Sequence, residues 1–252
     1  MGEFDVKIGL KNVLQRIEEV CSKKGEGENV KKPLLVAVSK TKPVEMIVDA
    51  YSEGQRHFGE NYVQELVEKG SNPLILEKCP DIKWHFIGHL QSNKINKVLK
   101  VPNLHMVQTV DSEKLANGLD SAWSRLEKSK DGPLEVLVQI NTSGEDEKSG
   151  VEPEHASALY KHIKEDLPNL KVKGIMTIGK FGHDYSTGPN PDFIALMKCH
   201  EQICKEQNLN SNEVDVSMGM SDDFDKAIEV GSTIVRVGSS IFGYRPKKHE
   251  VQ

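Results

Sequence analysis

Lys40 directly follows the apolar run Leu34–Ser39 (LLVAVS), where a long solvated side chain is out of place. At the mouth of a protein interior, desolvation favours the neutral amine, and a neutral amine can attack an aldehyde carbon. Lys40 could equally open a loop with Lys42 and point at water; the residues alone leave both readings open. A second feature is Arg236-Val237-Gly238-Ser239-Ser240-Ile241-Phe242-Gly243, where small residues free backbone N–H groups ahead of a short helix and suit an anion such as phosphate. Ser217-Met218-Gly219-Met220-Ser221 precedes it and offers further hydroxyls and amides. Neither G-x-x-x-x-G-K-[ST] nor G-x-G-x-x-G occurs, so the common nucleotide motifs are absent.

These groups need a frame, and the hydrophobic pattern supplies one. Short apolar runs recur at 34–39, 56–59, 83–88, 104–110, 135–141, 172–178, 214–219 and 233–238. Amphipathic stretches separate them, among them Val44/Ile47/Val48/Tyr51, Leu115/Leu119/Ala122/Leu126, Phe193/Leu196/Met197/Ile203 and Phe224/Ala227/Ile228. Asp111, Glu152-Pro153, Pro191-Asp192 and Ser221-Asp222 look like helix openings. Eight strand–helix units in about 250 residues match a closed parallel (β/α)8 barrel better than an open doubly wound sheet. An extra helix precedes them over about 5–24, and the barrel is expected over about 34–246 as a single domain. In such a barrel the strands' C-terminal ends carry function, and Lys40, Asn61, Thr177, Ser217 and Arg236 all fall there. His85 lies inside the third run and reads as a satisfied core histidine before an acid or base.

Composition narrows the class. The 252 residues carry 33 Lys+Arg against 38 Asp+Glu, a net charge of −5 that disfavours a whole-surface role with nucleic acid. No apolar run reaches the roughly 20 residues of a membrane span. Cys21, Cys79, Cys199 and Cys204 have no framework spacing and read as reduced thiols, and Cys199, His200 and Cys204 share a helix face too poorly to suggest a metal site. With no targeting segment, the cytoplasm is the expected compartment.

Five segments together resemble the pyridoxal phosphate homeostasis protein family. They are Leu35 to Pro43 (LVAVSKTKP), Phe58 to Glu65 (FGENYVQE), Trp84 to Lys94 (WHFIGHLQSNK), Ser217 to Asp223 (SMGMSDD) and Val235 to Gly243 (VRVGSSIFG). The similarity runs from about residue 5 to 246; the loops at 23–32 and 181–190 match no motif. The resemblance implies the barrel of the alanine racemase N-terminal domain and pyridoxal 5′-phosphate (PLP) held as a Schiff base on Lys40. It further implies Arg236 facing the pyridine nitrogen, Ser217, Gly238 and Ser239 holding the phosphate, and Asn61 with Met176 or Thr177 lining the ring. The implied role is that of a monomeric PLP carrier or buffer, with PLP-dependent apo-enzymes as recipients and no robust catalysis. An arginine keeps its proton, so the pyridine nitrogen beside it stays unprotonated and the ring is a poor electron sink. The sequence ends at residue 252, so no second domain is expected to place an acid or base over the cofactor. A PLP-dependent amino-acid racemase working as a single barrel is the alternative; an aldolase-type barrel using Lys40 on a phosphorylated sugar is a third.

Overall fold

The computed structural model describes residues 4–24 and 31–244. The far end of the expected barrel at 246 and the middle of the 23–32 loop lie outside the described residues. Eight parallel strands form a closed barrel in chain order. They are β1 (Leu34–Val38), β2 (His57–Glu60), β3 (Lys83–Phe86), β4 (Leu104–Val110), β5 (Leu134–Gln139), β6 (Leu170–Met176), β7 (Asp215–Ser217) and β8 (Ile234–Val237). β8 closes on β1, pairing Val36 with Arg236 and Ala37 with Val237. Around them run α1 (Val6–Lys23), α2 (Val44–Ser52), α3 (Val63–Gly70), α4 (Pro73–Lys78), α5 (Ile95–Leu99), α6 (Glu113–Ser124), α7 (Pro153–Asp166), α8 (Pro191–Glu206), α9 (Phe224–Val230) and α10 (Ser239–Phe242). This is the closed (β/α)8 barrel with an N-terminal helix that the pattern predicts.

Burial on both faces explains the near-continuous apolar runs: helices cover the outside and side chains fill the inside. Inside the barrel a layer of Val36, Met106, Leu137, Met176 and Ile234 forms a cluster of its own, apart from the larger core between sheet and helices. The helix openings differ in detail from expectation. Ser112, not Asp111, caps α6, its Oγ accepting from Leu115 N at 3.1 Å. Asn190 caps α8 by accepting from Asp192 N, leaving Pro191 as the first helical residue. α9 opens after Asp223, whose carboxylate accepts from Met220 N at 2.9 Å, not at Ser221-Asp222. α3, α4 and α5 are not among the stripes read from the sequence.

α1 turns Val6, Leu10, Val13 and Ile17 inward, and Asp5 caps it by accepting from Lys7 N and Ile8 N. It packs against α10. Gly9 permits this approach: a Cβ there would stand 2.7 Å from Ile241 O and 2.8 Å from Ser240 O. Among the described residues, no helix is long and apolar enough to cross a membrane.

Candidate functional site

The C-terminal ends of β1, β2 and β8 surround a cavity of about 310 Å³, bordered by Lys40, Asn61, Ser221, Arg236, Gly238 and Ser239. Ile178 and the largely exposed Phe181 complete its apolar rim. Lys40 reaches it from a tightly held turn. Lys69, a buried lysine on α3, donates to Ser39 O at 2.7 Å, to Glu60 Oε1 at 2.7 Å and to Glu65 Oε1 at 2.6 Å. The Ser39 hydroxyl also donates to Glu60 Oε1, and Thr41 N donates to Glu65 Oε1. Thr41 itself has φ +64°, a conformation that costs a β-branched residue energy and persists only where the surroundings impose it. The residues on both sides of Lys40 are thus tied to one buried cation and two carboxylates. Burial pushes the Glu60 carboxyl above its ordinary value while Lys69 and Ser39 draw it back.

On β8, the strand neighbouring β1, Arg236 lines the same cavity and is 3 % exposed. Its Nη1 donates to Ser217 Oγ at 2.5 Å and its Nη2 to Thr177 O at 2.8 Å. Burial lowers the guanidinium to about 10, with Asp223 opposing, so it is still a cation at neutral pH. The amides of Gly238 and Ser240 converge on Ser221 Oγ, each at 3.2 Å. Two amides aimed at one acceptor atom are what an anion oxygen needs. Gly238 keeps this corner open, since a Cβ would meet Val38 O at 3.1 Å.

Of the eight residues expected at the site, Lys40, Asn61, Arg236, Gly238 and Ser239 come together around the cavity. Met176, Thr177 and Ser217 lie beneath it instead. Met176 is fully buried in the barrel's interior layer, away from the cavity wall. Thr177 and Ser217 face Arg236 and hold its guanidinium. Ser217 also donates to Gln108 Oε1 at 2.7 Å, so its hydroxyl is committed below the cavity. Ser221 takes the wall position expected of Ser217. Between the two serines Gly219 takes φ +98°, a turn conformation that suits glycine. Glu60 falls at a strand end and within a quoted motif, whereas Lys69 is not singled out by the sequence; the i, i+4 spacing of Glu65 and Lys69 is its available signal. His85 is fully buried and bonded, to His57 Nδ1 at 2.8 Å and Gln108 Nε2 at 3.0 Å.

Comparison with known proteins agrees with this geometry. The family described as alanine racemase, N-terminal domain, matches residues 12–246. The pyridoxal phosphate homeostasis protein of Homo sapiens is 53 % identical over 244 residues, covering 97 % of this chain and 88 % of that protein. The protein of the same name from Caenorhabditis elegans is 46 % identical over 247 residues, covering 98 % and 100 %. The structure of PipY from Synechococcus elongatus PCC7942 with PLP bound superposes with a TM-score of 0.72 at 29 % identity, covering 91 % of this chain and all of that one. Alanine racemase from Corynebacterium glutamicum, 13 % identical over 96 % of this chain and 62 % of its own, shares the fold with a TM-score of 0.63. With the barrel, the lysine-bearing turn and the buried arginine in place, the chain belongs to the pyridoxal phosphate homeostasis protein family, built on the alanine racemase N-terminal domain.

Proposed function

We propose that this chain binds PLP in the cavity at the barrel mouth and serves intracellular PLP homeostasis as a carrier or buffer, without robust turnover. The observation that carries this reading is that Lys40 and Arg236 line one cavity together with Gly238, whose amide, like that of Ser240, is aimed at the Ser221 hydroxyl on the cavity wall. The residues fit the group. PLP offers an aldehyde, a basic ring nitrogen and a dianionic phosphate; the cavity offers an amine, a fixed cation and amide donors. Asn61 Oδ1 is buried at its edge with no hydrogen-bond partner, an acceptor left for a ligand.

Lys40 is the residue to hold PLP as a Schiff base, and its clamped turn fixes where the amine sits. Gly238 and Ser239, with the Ser221 hydroxyl, would take the phosphate; Thr177 and Ser217 keep Arg236 pointed at the ring nitrogen, with Met176 packed below. When bound, PLP supplies an electron sink, and its strength depends on a protonated ring nitrogen. Arg236 donates and cannot readily accept a proton, so this chain withholds that protonation. Holding the cofactor is thereby favoured over carbanion chemistry, and over the racemase alternative. We place the protein in the cytoplasm as a monomer, with PLP-dependent apo-enzymes as recipients.

The test is borohydride reduction of PLP-loaded protein followed by peptide mapping. A pyridoxyl group fixed on Lys40, with single-enantiomer amino acids unchanged by chiral chromatography, supports the reading. A pyridoxyl group elsewhere, or racemisation at a turnover rate, overturns it.

A further inference from the structure

The opposite mouth of the barrel, at the N-terminal ends of the strands, holds a second set of groups suited to chemistry. His57 on β2, His85 on β3 and His105 on β4 bring one ring nitrogen each to within 4.8 Å of one another. Their ring centroids form an almost equilateral triangle, with sides of 5.1, 5.2 and 5.2 Å. Three imidazoles bound tetrahedrally to one metal at 2.0–2.1 Å would have centroids about 5.2 Å apart, because each centroid lies roughly 1.1 Å beyond its nitrogen. Glu135 Oε2 stands 3.4 Å from His105 Nε2, against about 3.3 Å between neighbouring ligand atoms of such a site. We propose that His57, His85 and His105, with Glu135 or a water as fourth ligand, form a binding site for one divalent transition metal of the zinc, cobalt, nickel and copper class.

The surroundings support the assignment. His57, His105 and Glu135 border an open cavity at this mouth, which gives an ion a path in, while His85 closes the site from inside. Burial, then the neighbouring histidines and Lys83, hold His57 at about 4 and depress His85; burial also depresses His105, with Glu135 opposing and Lys83 and Lys173 adding to the fall. The rings are therefore neutral, the form that ligates. Three imidazole nitrogens disfavour the hard, oxygen-seeking calcium and magnesium.

Closure of the site needs a small and balanced rearrangement. His85 Nε2 now shares a proton with His57 Nδ1 across 2.8 Å; a metal in its place would move the two nitrogens apart by about 0.5 Å. The proton on His85 then resides on Nδ1 and is donated to Gln108, whose amide turns over to present its oxygen. Gln108 Nε2 in turn donates to Ser217 Oγ, whose own hydroxyl hydrogen must rotate from Gln108 to another acceptor, and no proton is released. An outer partner of this kind, fixing the tautomer of a ligating histidine, is the usual support of a metal site.

The experiment uses untagged, chelator-stripped full-length chain. Cobalt(II) is added while its visible ligand-field bands are recorded, and zinc(II) affinity is measured by competition with a chromophoric chelator. One equivalent bound with tetrahedral bands and no thiolate charge-transfer band is expected. His57→Gln and His105→Gln, at half-buried positions checked by circular dichroism, should each abolish the stoichiometric binding, and Cys204→Ser should leave it intact. No binding of either ion, binding that persists in both histidine variants, or binding that Cys204→Ser removes would overturn the proposal.

Discussion

The two mouths of this barrel are built from opposite materials. At the C-terminal mouth the polar groups carry fixed charge: Lys69 between Glu60 and Glu65, and Arg236 against Ser217 and Thr177. At the N-terminal mouth one buried and two half-buried imidazoles, their pKa values lowered first by burial, form the cluster, with Lys83, Lys173 and Glu135 at its edge. The interior layer of Val36, Met106, Leu137, Met176 and Ile234 fills the space between. Past it runs one hydrogen-bonded thread, from Arg236 through Ser217 and Gln108 to His85 and His57. A charged network fixes geometry because each member is costly to leave alone; a neutral network can exchange partners at little cost. The first suits a grip on a cofactor, the second a place for an exchangeable ion.

Substitutions at the two ends should differ accordingly. Lys40→Ala should eliminate borohydride-fixed PLP while circular dichroism stays that of a folded barrel; unchanged stoichiometry of fixed PLP would move the attachment elsewhere, with Lys42 the next residue to map. Pyridoxal, which lacks the phosphate, should bind more weakly than PLP by roughly two to four powers of ten, since two charge-assisted hydrogen bonds are worth about 1.5–3 kcal/mol each. Equal affinities in a fluorescence titration would remove the phosphate corner from the site. Lys69→Met strands two carboxylates, one of them fully buried, and should destabilise the fold by about 3–5 kcal/mol in urea unfolding. His57→Gln, by contrast, removes one neutral hydrogen bond at a half-buried position and should cost only about 1 kcal/mol. If the histidine variant proves as damaging as the lysine variant, the contrast between the mouths fails.

The fold was legible in the sequence because each strand is buried on both faces and writes a run of its own. Even four-residue β2 showed as Arg56 to Gly59. Lys40 and Gly238, at the ends of such runs, and Arg236, near the end of the last, could be picked from the sequence as neighbours, and all three line one cavity. Ser221, not Ser217, lines the cavity, and strand alternation says nothing of the turn at Gly219 between them. The histidine triangle was invisible for another reason. His57, His85 and His105 are 28 and 20 residues apart, and only barrel register sets them side by side. Lys69 was hidden because buried lysines are rare and its partner Glu60 lies on another element.

Gly9 gives α1 a place in the cofactor's grip. α10 has four residues, too few to hold a helical turn unaided, so its position is inherited from what it leans on. α1 leans on it through the one residue whose lack of a side chain permits contact. The N-terminal helix thus supports, from outside, the turn whose Gly238 and Ser240 amides stand at the proposed phosphate corner. Gly9→Ala, which adds a single carbon 2.7 Å from Ile241 O, must lift α1 or displace that turn. We expect faster PLP release from that variant, read by transfer to an apo-enzyme in excess, although the substituted atom lies on the far side of α10 from the cofactor. An unchanged release rate would show that the amides keep their place without α1.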